Sequence, residues 1–351
     1  MIFISLNILI QTGCTKPNTP QPSAQQNAEQ LYTDGGKYFF GRGVKQDYNE
    51  AFKLIEQAAN QGLALAQNDL GGMYQKGLGT QKSDQQAFYW ISKAADQNYA
   101  GAQFNLGVMY EQGIYVSQDR AKAIELYKKA AEQNFAEAQF NLGNAYLAGE
   151  GIEKDIQKAI ELYTKAAAQG NPKAQYNLAT IYEEGNGVQQ DIPKAIGLYM
   201  KAANQNLAQA QFTLAVSYEK GIGVEKNIAK AIALYRKAAD QGFAEAQFNL
   251  AVSYEKGIGV EQNKHKAFEL YSKAADQNFA EAQINLGTMY FNGEAVPKDE
   301  HKALALFTKA AEQNIPEAQN NLSYLYANVF HDPEKAQYWS QKAIKNGYKG
   351  D

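Results

Sequence analysis

Apolar residues recur along most of this chain with the spacing of an amphipathic helix. Within residues 100–135, Ala102, Leu106 and Tyr110 lie at i, i+4 and i+8 and form one stripe on a helix. Gly113 follows this stripe, as expected where a helix ends on a residue with left-handed backbone. The pattern therefore predicts a helix, called helix A, that ends at Gly113.

A second helix, called helix B, follows after a loop of about seven residues. Its start is marked by a position that holds only Asp, Asn or Ser, residues that accept hydrogen bonds from the first helical turn. These residues are Asp47, Ser83, Asp119, Asp155, Asp191, Asn227, Asn263, Asp299 and Asp332. Its end is marked by a position that holds only Gly or Asn, which tolerate left-handed backbone. These are Gly62, Asn98, Asn134, Gly170, Asn206, Gly242, Asn278, Asn314 and Gly347.

The predicted hairpin recurs every 36 residues, the distance from Gln67 to Gln103. The same phase holds glutamine in eight successive units, at Gln67, Gln103, Gln139, Gln175, Gln211, Gln247, Gln283 and Gln319. Mid-helix A also carries a small residue in each unit, such as Gly107 or Ala215, which predicts close approach of helix B. Single units of this kind cannot bury their apolar face alone, so the pattern predicts an all-α solenoid over residues 28–347.

About nine units are predicted, starting near residues 28, 64, 100, 136, 172, 208, 244, 280 and 316. Residues 1–14 form a separate apolar segment that ends in Cys14, residues 15–27 are predicted to be a disordered tether, and residues 348–351 form a short tail.

Composition excludes several classes of function. The net charge of −3 and the pI near 5.8 do not favour nucleic-acid binding. One cysteine and three histidines do not suffice for a disulfide framework or most metal sites, and we expect no cofactor. No apolar run reaches the roughly 20 residues that span a bilayer.

The repeat resembles the Sel-1-like repeat, a relative of the tetratricopeptide repeat. The resemblance rests on A-x-A-Q-F-N-L-G-x-x-Y-x-x-G-x-G-V, followed by D-x-x-K-A-x-x-L-Y-x-K-A-A-x-Q-G/N. Unit one departs from it with Asp34 in place of leucine, and unit three with Tyr115 in place of a loop glycine. The resemblance implies a right-handed superhelical solenoid and an adaptor-like role, without naming a ligand.

The first residues resemble a bacterial lipoprotein signal. The apolar run IFISLNILI is followed by Thr12, Gly13 and Cys14 and then by a polar stretch. Gln11 and the lack of a basic residue before the apolar run depart from that pattern. We expect Cys14 to be lipidated and the protein to be tethered to the membrane in the periplasm. The alternatives are a secretory segment and an apolar terminus without function.

The far side of helix A carries the candidate binding residues. At 100° per residue, Phe104 lies opposite the Ala102 stripe. The candidates are Phe104, Asn105, Phe140, Asn141, Tyr176, Asn177, Phe212, Phe248 and Asn249. In tetratricopeptide-type stacks this side lines a concave groove, where aromatic rings hold apolar side chains and asparagines bond a peptide backbone. The alternative is that the rings wedge between successive A helices.

Two further patterns are ambiguous. Ser217 with Lys220, and Ser253 with Lys256, match the Ser-x-x-Lys motif of β-lactam-binding enzymes, although its companion motifs are missing.

A lysine stripe along helix B comprises Lys122, Lys158, Lys194, Lys230, Lys266, Lys302 and Lys335. Glu125, Glu161 and Glu269 follow three of these lysines, which favours a solvated face of ion pairs over docking to an anionic surface.

The sequence thus predicts a monomeric, non-catalytic scaffold that binds a protein or peptide on its concave face. A hydrolase acting on β-lactams or cell wall and a secreted host-interaction factor are the alternatives. No nucleic-acid partner and no metal are expected, and contact with a membrane is expected through the lipid anchor alone.

Overall fold

The structure, a computed structural model, describes residues 24–349. Within these residues the chain forms eighteen α-helices and no strand, which confirms the predicted all-α fold. The odd-numbered A helices are α1 (Ala24–Phe40), α3 (Ala64–Lys76), α5 (Ala100–Gln112), α7 (Ala136–Ala148), α9 (Pro172–Glu184), α11 (Ala208–Lys220), α13 (Ala244–Lys256), α15 (Ala280–Asn292) and α17 (Pro316–Asn328). The even-numbered B helices are α2 (Tyr48–Asn60), α4 (Asp84–Asp96), α6 (Arg120–Glu132), α8 (Ile156–Ala168), α10 (Ile192–Asn204), α12 (Ile228–Asp240), α14 (Lys264–Asp276), α16 (Glu300–Glu312) and α18 (Pro333–Lys345). The first helix begins at Ala24, ahead of the predicted start of the repeats near residue 28.

The helices form two compact units, up to Leu178 and from Ala179. In both units the closest packing joins the two helices of one hairpin, such as α5 with α6 and α13 with α14. Each B helix then packs on the next A helix, such as α6 on α7 and α14 on α15. Helices that are consecutive in sequence are thus neighbours in space, which is the organisation of a solenoid. The right-handed sense of the superhelix stays a prediction.

The predicted helix ends are confirmed. All nine N-cap residues of the B helices accept hydrogen bonds from backbone N–H groups of the first turn; Asn227, for example, accepts from Lys230 at 2.9 Å. Gly113 after α5 has a φ of 68° and Asn134 after α6 has a φ of 63°, both in the left-handed region. Tyr115 also has left-handed backbone, with a φ of 65°, at a position where most repeats have glycine.

The recurring glutamine is a clamp between consecutive repeats. Gln247 on α13 is 4% exposed, and its Nε2 donates to the backbone oxygen of Ala239 on α12 at 3.2 Å. Its Oε1 accepts a hydrogen bond from Nε2 of Gln277, directly after α14, at 2.8 Å. One buried amide therefore joins the ends of two successive B helices to the A helix between them. Gln211 makes the equivalent pair of bonds, to Ala203 and Gln241.

Small residues allow the two helices of a hairpin to approach closely, as predicted. A Cβ atom at Gly107 would lie 2.7 Å from Cε1 of Tyr127, and one at Gly143 would lie 2.8 Å from Cε1 of Tyr163. Both distances are shorter than carbon atoms in van der Waals contact allow. The tyrosines of the B helices thus fill the space that glycine or alanine leaves on the A helices, and they are among the largest fully buried side chains.

Candidate functional site

The candidate binding residues lie on the same side of each A helix, which we call the A face. It comprises an aromatic row, an amide row and the half-buried Val216 and Val252. The aromatic row is Phe104, Phe140, Tyr176, Phe212 and Phe248, and the amide row is Asn105, Asn141, Asn177, Asn249 and Asn285. Phe104 is 6% exposed, whereas the other four rings of the aromatic row are half-buried.

Rings of the aromatic row contact other rings along the repeats. The centroid of Phe248 lies 5.7 Å from that of Tyr271 on α14 and 5.3 Å from that of Phe279, the N-cap residue of α15. Phe104 and Phe212 have the same two kinds of neighbour at similar distances. One part of each ring thus packs between repeats, and in Phe212 and Phe248 another part is accessible.

The amide row is tied to the tyrosines of the B helices. Nδ2 of Asn249 donates to the hydroxyl of Tyr235 at 3.2 Å, and Nδ2 of Asn285 donates to the hydroxyl of Tyr271 at 3.0 Å. Within residues 24–349, Oδ1 of Asn249 and Oδ1 of Asn285 have no hydrogen-bond partner. These half-buried oxygens can accept hydrogen bonds from backbone N–H groups of a bound chain.

In the unit up to residue 178, amides of the A face also bond to other asparagines. Asn105 is fully buried, and its Nδ2 donates to Oδ1 of Asn68 at 2.9 Å. Nδ2 of Asn177 donates to Oδ1 of Asn144 at 3.2 Å and lies 3.4 Å from the hydroxyl of Tyr163. The contact between asparagine and tyrosine therefore recurs in both units, and bonds between asparagines are added in the first.

Sequence reasoning missed a second set of contacts on the A face, which we call the Tyr–Glu pairs. The hydroxyl of a B-helix tyrosine donates to a glutamate in the last turn of the A helix of the same repeat. The pairs are Tyr127 with Glu111 at 3.0 Å, Tyr199 with Glu183 at 2.6 Å, Tyr235 with Glu219 at 2.6 Å and Tyr271 with Glu255 at 2.7 Å. The constant separation of 16 residues between glutamate and tyrosine is a sequence signal that could have identified them.

Burial raises the pKa of the Tyr127, Tyr235 and Tyr271 hydroxyls far above the usual value, and the adjacent glutamate raises it further. The hydroxyls therefore stay protonated at neutral pH and act as hydrogen-bond donors rather than as bases or nucleophiles. The Tyr–Glu pairs orient side chains on the A face and show no arrangement for acid–base chemistry.

The repeat of α15 and α16 has phenylalanine at both positions of the Tyr–Glu pair. Phe291 stands at the glutamate position and Phe307 at the tyrosine position. Phe307 is 4% exposed, so an apolar ring fills the buried site and no unpaired polar group results. The two positions do not always change together, because Leu147 stands at the glutamate position before Tyr163, whose hydroxyl donates instead to Oδ1 of Asn144 at 2.6 Å.

The Ser-x-x-Lys motif lacks the geometry of a nucleophile. Ser217 and Ser253 are 3% and 5% exposed. Their hydroxyls donate to the backbone oxygens of Thr213 and Asn249 one turn earlier on the same helix, at 3.0 and 2.8 Å. A hydroxyl that is buried and bonded to its own helix is a packing feature, so this arrangement gives the hydrolase alternative no support.

The lysine stripe is paired in a way the sequence did not predict. Among the described residues, the expected glutamate three positions on is an ion-pair partner at Lys122 alone, with a distance of 3.9 Å. Lys158, Lys302 and Lys335 instead contact the N-cap aspartate of their own helix at 3.0 to 3.5 Å. Six lysines of the stripe also lie 4.0 to 5.3 Å from the centroid of a tyrosine ring at the end of helix A. Cation–π contacts thus hold these lysines beside the A helix.

Two negative findings apply to residues 24–349. They contain no group of three or more His, Cys, Asp or Glu residues arranged to hold a metal ion. None of their helices has the length and apolar character needed to cross a membrane. Cys14, the predicted lipidation site, lies outside the described residues.

Comparison with known families gives one match that covers most of the chain. The Sel1 repeat matches nine consecutive segments, at residues 35–63, 64–99, 100–135, 136–171, 172–207, 208–243, 244–279, 280–315 and 316–348. From residue 64 onward these segments coincide with the hairpins described above. No curated protein matches the chain.

Two solved structures are similar in both sequence and fold. A protective antigen present in uropathogenic Escherichia coli strains, displaying an SLR fold, has 35% sequence identity and a TM-score of 0.73. That match covers 91% of this chain and 69% of the antigen. A Sel1 repeat protein from Oxalobacter formigenes has 33% identity and a TM-score of 0.62, and the match covers 70% of this chain and 96% of that protein.

Proposed function

We propose that this chain, which belongs to the Sel1 repeat family, is a non-catalytic scaffold that binds a protein or peptide partner on its A face. Repeat solenoids of this kind typically serve protein interaction, because stacked repeats present extended surfaces. We propose further that the A face is the concave side of the solenoid.

The observation that carries this proposal is the pairing of half-exposed rings with unsatisfied amide oxygens. Phe212 and Phe248 offer partly accessible aromatic surface, and Asn249 beside Phe248 has an Oδ1 without a hydrogen-bond partner in the described chain. Rings that contact apolar side chains, next to acceptors for backbone N–H groups, are suited to an extended peptide. The hydrolase alternative has no comparable support, because Ser217 and Ser253 are buried.

Site-specific photo-crosslinking tests the binding surface. A photoreactive phenylalanine analogue is placed at Val216 or Val252 on the A face, in cells that make the protein. Controls carry the same analogue at Ile222 or Ile258, which are 42% and 41% exposed in the loops of the same repeats. We expect a discrete adduct from the A-face positions and none from the loop positions. Adducts of equal yield from both sets would contradict the A face as the binding surface.

We also propose that the protein is held in the periplasm by acyl chains on Cys14. The similarity to a protective antigen of uropathogenic Escherichia coli supports a location outside the cytoplasm. Replacing Cys14 by serine is expected to move the protein from the membrane pellet to the soluble fraction and to abolish palmitate labelling, because acyl chains anchor through their buried methylene groups.

The control for this experiment is the unchanged chain, which should carry label and sediment with membranes. If the unchanged protein takes up no palmitate and accumulates in the culture medium, it is secreted and the anchor proposal is wrong.

A further inference from the structure

Clefts of the same construction separate successive B helices on the side away from the A face. Three of them lie between α6 and α8, between α10 and α12, and between α14 and α16. Their volumes are about 410, 290 and 270 Å³ respectively. We call the second of these the α10–α12 cleft.

The α10–α12 cleft has an apolar lining and two basic residues. Leu214, Tyr218 and Leu234 contribute apolar surface, and Lys230 and Lys237 of α12 also line the cleft. Nζ of Lys230 lies 5.1 Å from the centroid of the Tyr218 ring, which holds this lysine at the cleft.

In α6 and α8 the lysines at the equivalent positions pair with a glutamate of their own helix, a residue that α10, α12 and α16 replace by Gly197, Ala233 and Ala305. In α6, Glu125 lies 2.7 Å from Lys129 and 3.9 Å from Lys122. In α8, Glu161 lies 2.6 Å from Lys165. In both helices the positive charge of a lysine is therefore paired with a carboxylate of the same helix.

Helix α12 lacks these partners. Ala233 replaces the glutamate, and the N-cap is the neutral Asn227, where α8 has Asp155 at 3.2 Å from Lys158. Within the described residues neither Lys230 nor Lys237 forms an ion pair. The residues from α10 in this cleft are the neutral Met200 and Asn204. The α10–α12 cleft therefore has two positive charges and no carboxylate in its lining.

We propose that the α10–α12 cleft is a second docking surface, separate from the A face, for an acidic amphipathic helix of a partner protein. Lys230 and Lys237 are seven residues apart, about 10.5 Å along the helix axis. Glutamates at i and i+7 of a partner helix have the same spacing, and apolar residues at i+3 and i+4 lie between them on the same face. Those apolar residues would pack on Met200 and Leu234, where the small Ala233 leaves room.

The cleft opens to solvent, which favours side chains of a protein over an enclosed free ligand. Small-molecule pockets usually enclose about 300 to 1,000 Å³ and bury most of the ligand. A cleft of about 290 Å³ that opens to solvent suits one or two aliphatic side chains. Because exposed charge pairs are weak and screened by salt, the binding is expected to weaken as salt concentration rises.

The test uses a fluorescent, blocked, alanine-rich peptide with glutamates at i and i+7 and leucines at i+3 and i+4. Its binding to the full chain is measured by fluorescence anisotropy at low salt. We expect Ala233→Glu to weaken binding at least tenfold, because the new carboxylate pairs with Lys230 and Lys237. Helicity should not change, since α6 and α8 carry glutamate at this position. The same peptide with glutamine in place of glutamate should also bind at least tenfold more weakly.

The α6–α8 cleft offers a matched gain-of-binding control. Lys128→Met, Glu132→Asn, Asp155→Asn and Glu161→Ala together give it the residues that the α10–α12 cleft has at Met200, Asn204, Asn227 and Ala233. This quadruple variant is expected to bind two peptides per chain instead of one. The proposal would be overturned if the Ala233→Glu variant bound the peptide as tightly as the unchanged protein. It would also be overturned if the glutamine peptide bound with the same affinity as the glutamate peptide. Binding of a free carboxylate such as octanoate by a protein that does not bind the peptide would overturn it as well.

Discussion

Replacing Gln247 by leucine is expected to lower the free energy of unfolding by about 1 to 3 kcal/mol, although leucine is apolar and the site is buried. The change removes the hydrogen bonds to Ala239 and Gln277, while the backbone oxygen of Ala239 keeps the bond from the N–H of Gly242. Each lost hydrogen bond contributes about 0.5 to 1.5 kcal/mol net, and this change removes two. Because the clamp joins consecutive repeats, the unfolding transition should also become less cooperative. Urea denaturation followed by circular dichroism measures both effects.

The matched control is Gln277→Leu, which removes the other partner of the same hydrogen bond. Gln277→Leu removes the donor to Oε1 of Gln247 but keeps the hydrogen bond from Gln247 to Ala239, so one bond is lost instead of two and the expected loss is about half as large, about 1 kcal/mol. The double variant closes a thermodynamic cycle, and the coupling energy gives the strength of the bond between the two amides. Equal stability of Gln247→Leu and the unchanged protein would show that the glutamine series does not clamp the repeats.

Replacing Phe248 by alanine is expected to destabilise the protein by about 2 to 3 kcal/mol. Deleting a fully buried ring costs about 3 to 5 kcal/mol, and Phe248 is half-buried. It loses ring contacts with Tyr271 and Phe279, on both sides of a junction between repeats. Thermal melting measures the loss.

Phe140 is the matched comparison for Phe248, because Asn171, directly before α9, stands where Phe279 stands directly before α15. The ring of Phe140 lies 6.0 Å from that of Tyr163. One fewer aromatic contact should make Phe140→Ala less costly than Phe248→Ala by about 1 kcal/mol. If both variants have the melting temperature of the unchanged protein but no longer form the photo-crosslinked adduct, the rings contact a partner on the A face and do not stabilise the packing between repeats.

Local signals in the sequence predicted the helices accurately because each one acts within a few residues. An N-cap such as Asn227 bonds backbone atoms of its own first turn, and an Asn or Gly such as Asn134 sets its own backbone angle. The period of 36 then follows from repetition, so the all-α solenoid could be inferred without any tertiary contact.

The candidate site was less accessible to sequence reasoning. The position of Phe248 on the A face follows from helical periodicity, but its stacking on Phe279 depends on how two repeats meet. The Tyr–Glu pairs connect different helices, as in Tyr271 with Glu255, and helical periodicity within one element does not show them. The partner of Lys158 was mispredicted, because the N-cap Asp155 and a tyrosine ring lie closer than Glu161.

The sequence alone therefore determined the repeat, its helix boundaries, the family and the face on which aromatic and amide residues gather. These depend on backbone geometry and on spacing along one chain, which the order of residues sets directly. Only the tertiary structure decided which atoms remain available for a partner. It showed that Nδ2 of Asn249 is bonded to Tyr235 while Oδ1 has no partner among the described residues, and that Ala233 leaves two lysines beside a cleft without a carboxylate. Availability depends on distances between atoms of different helices, and these distances follow from packing.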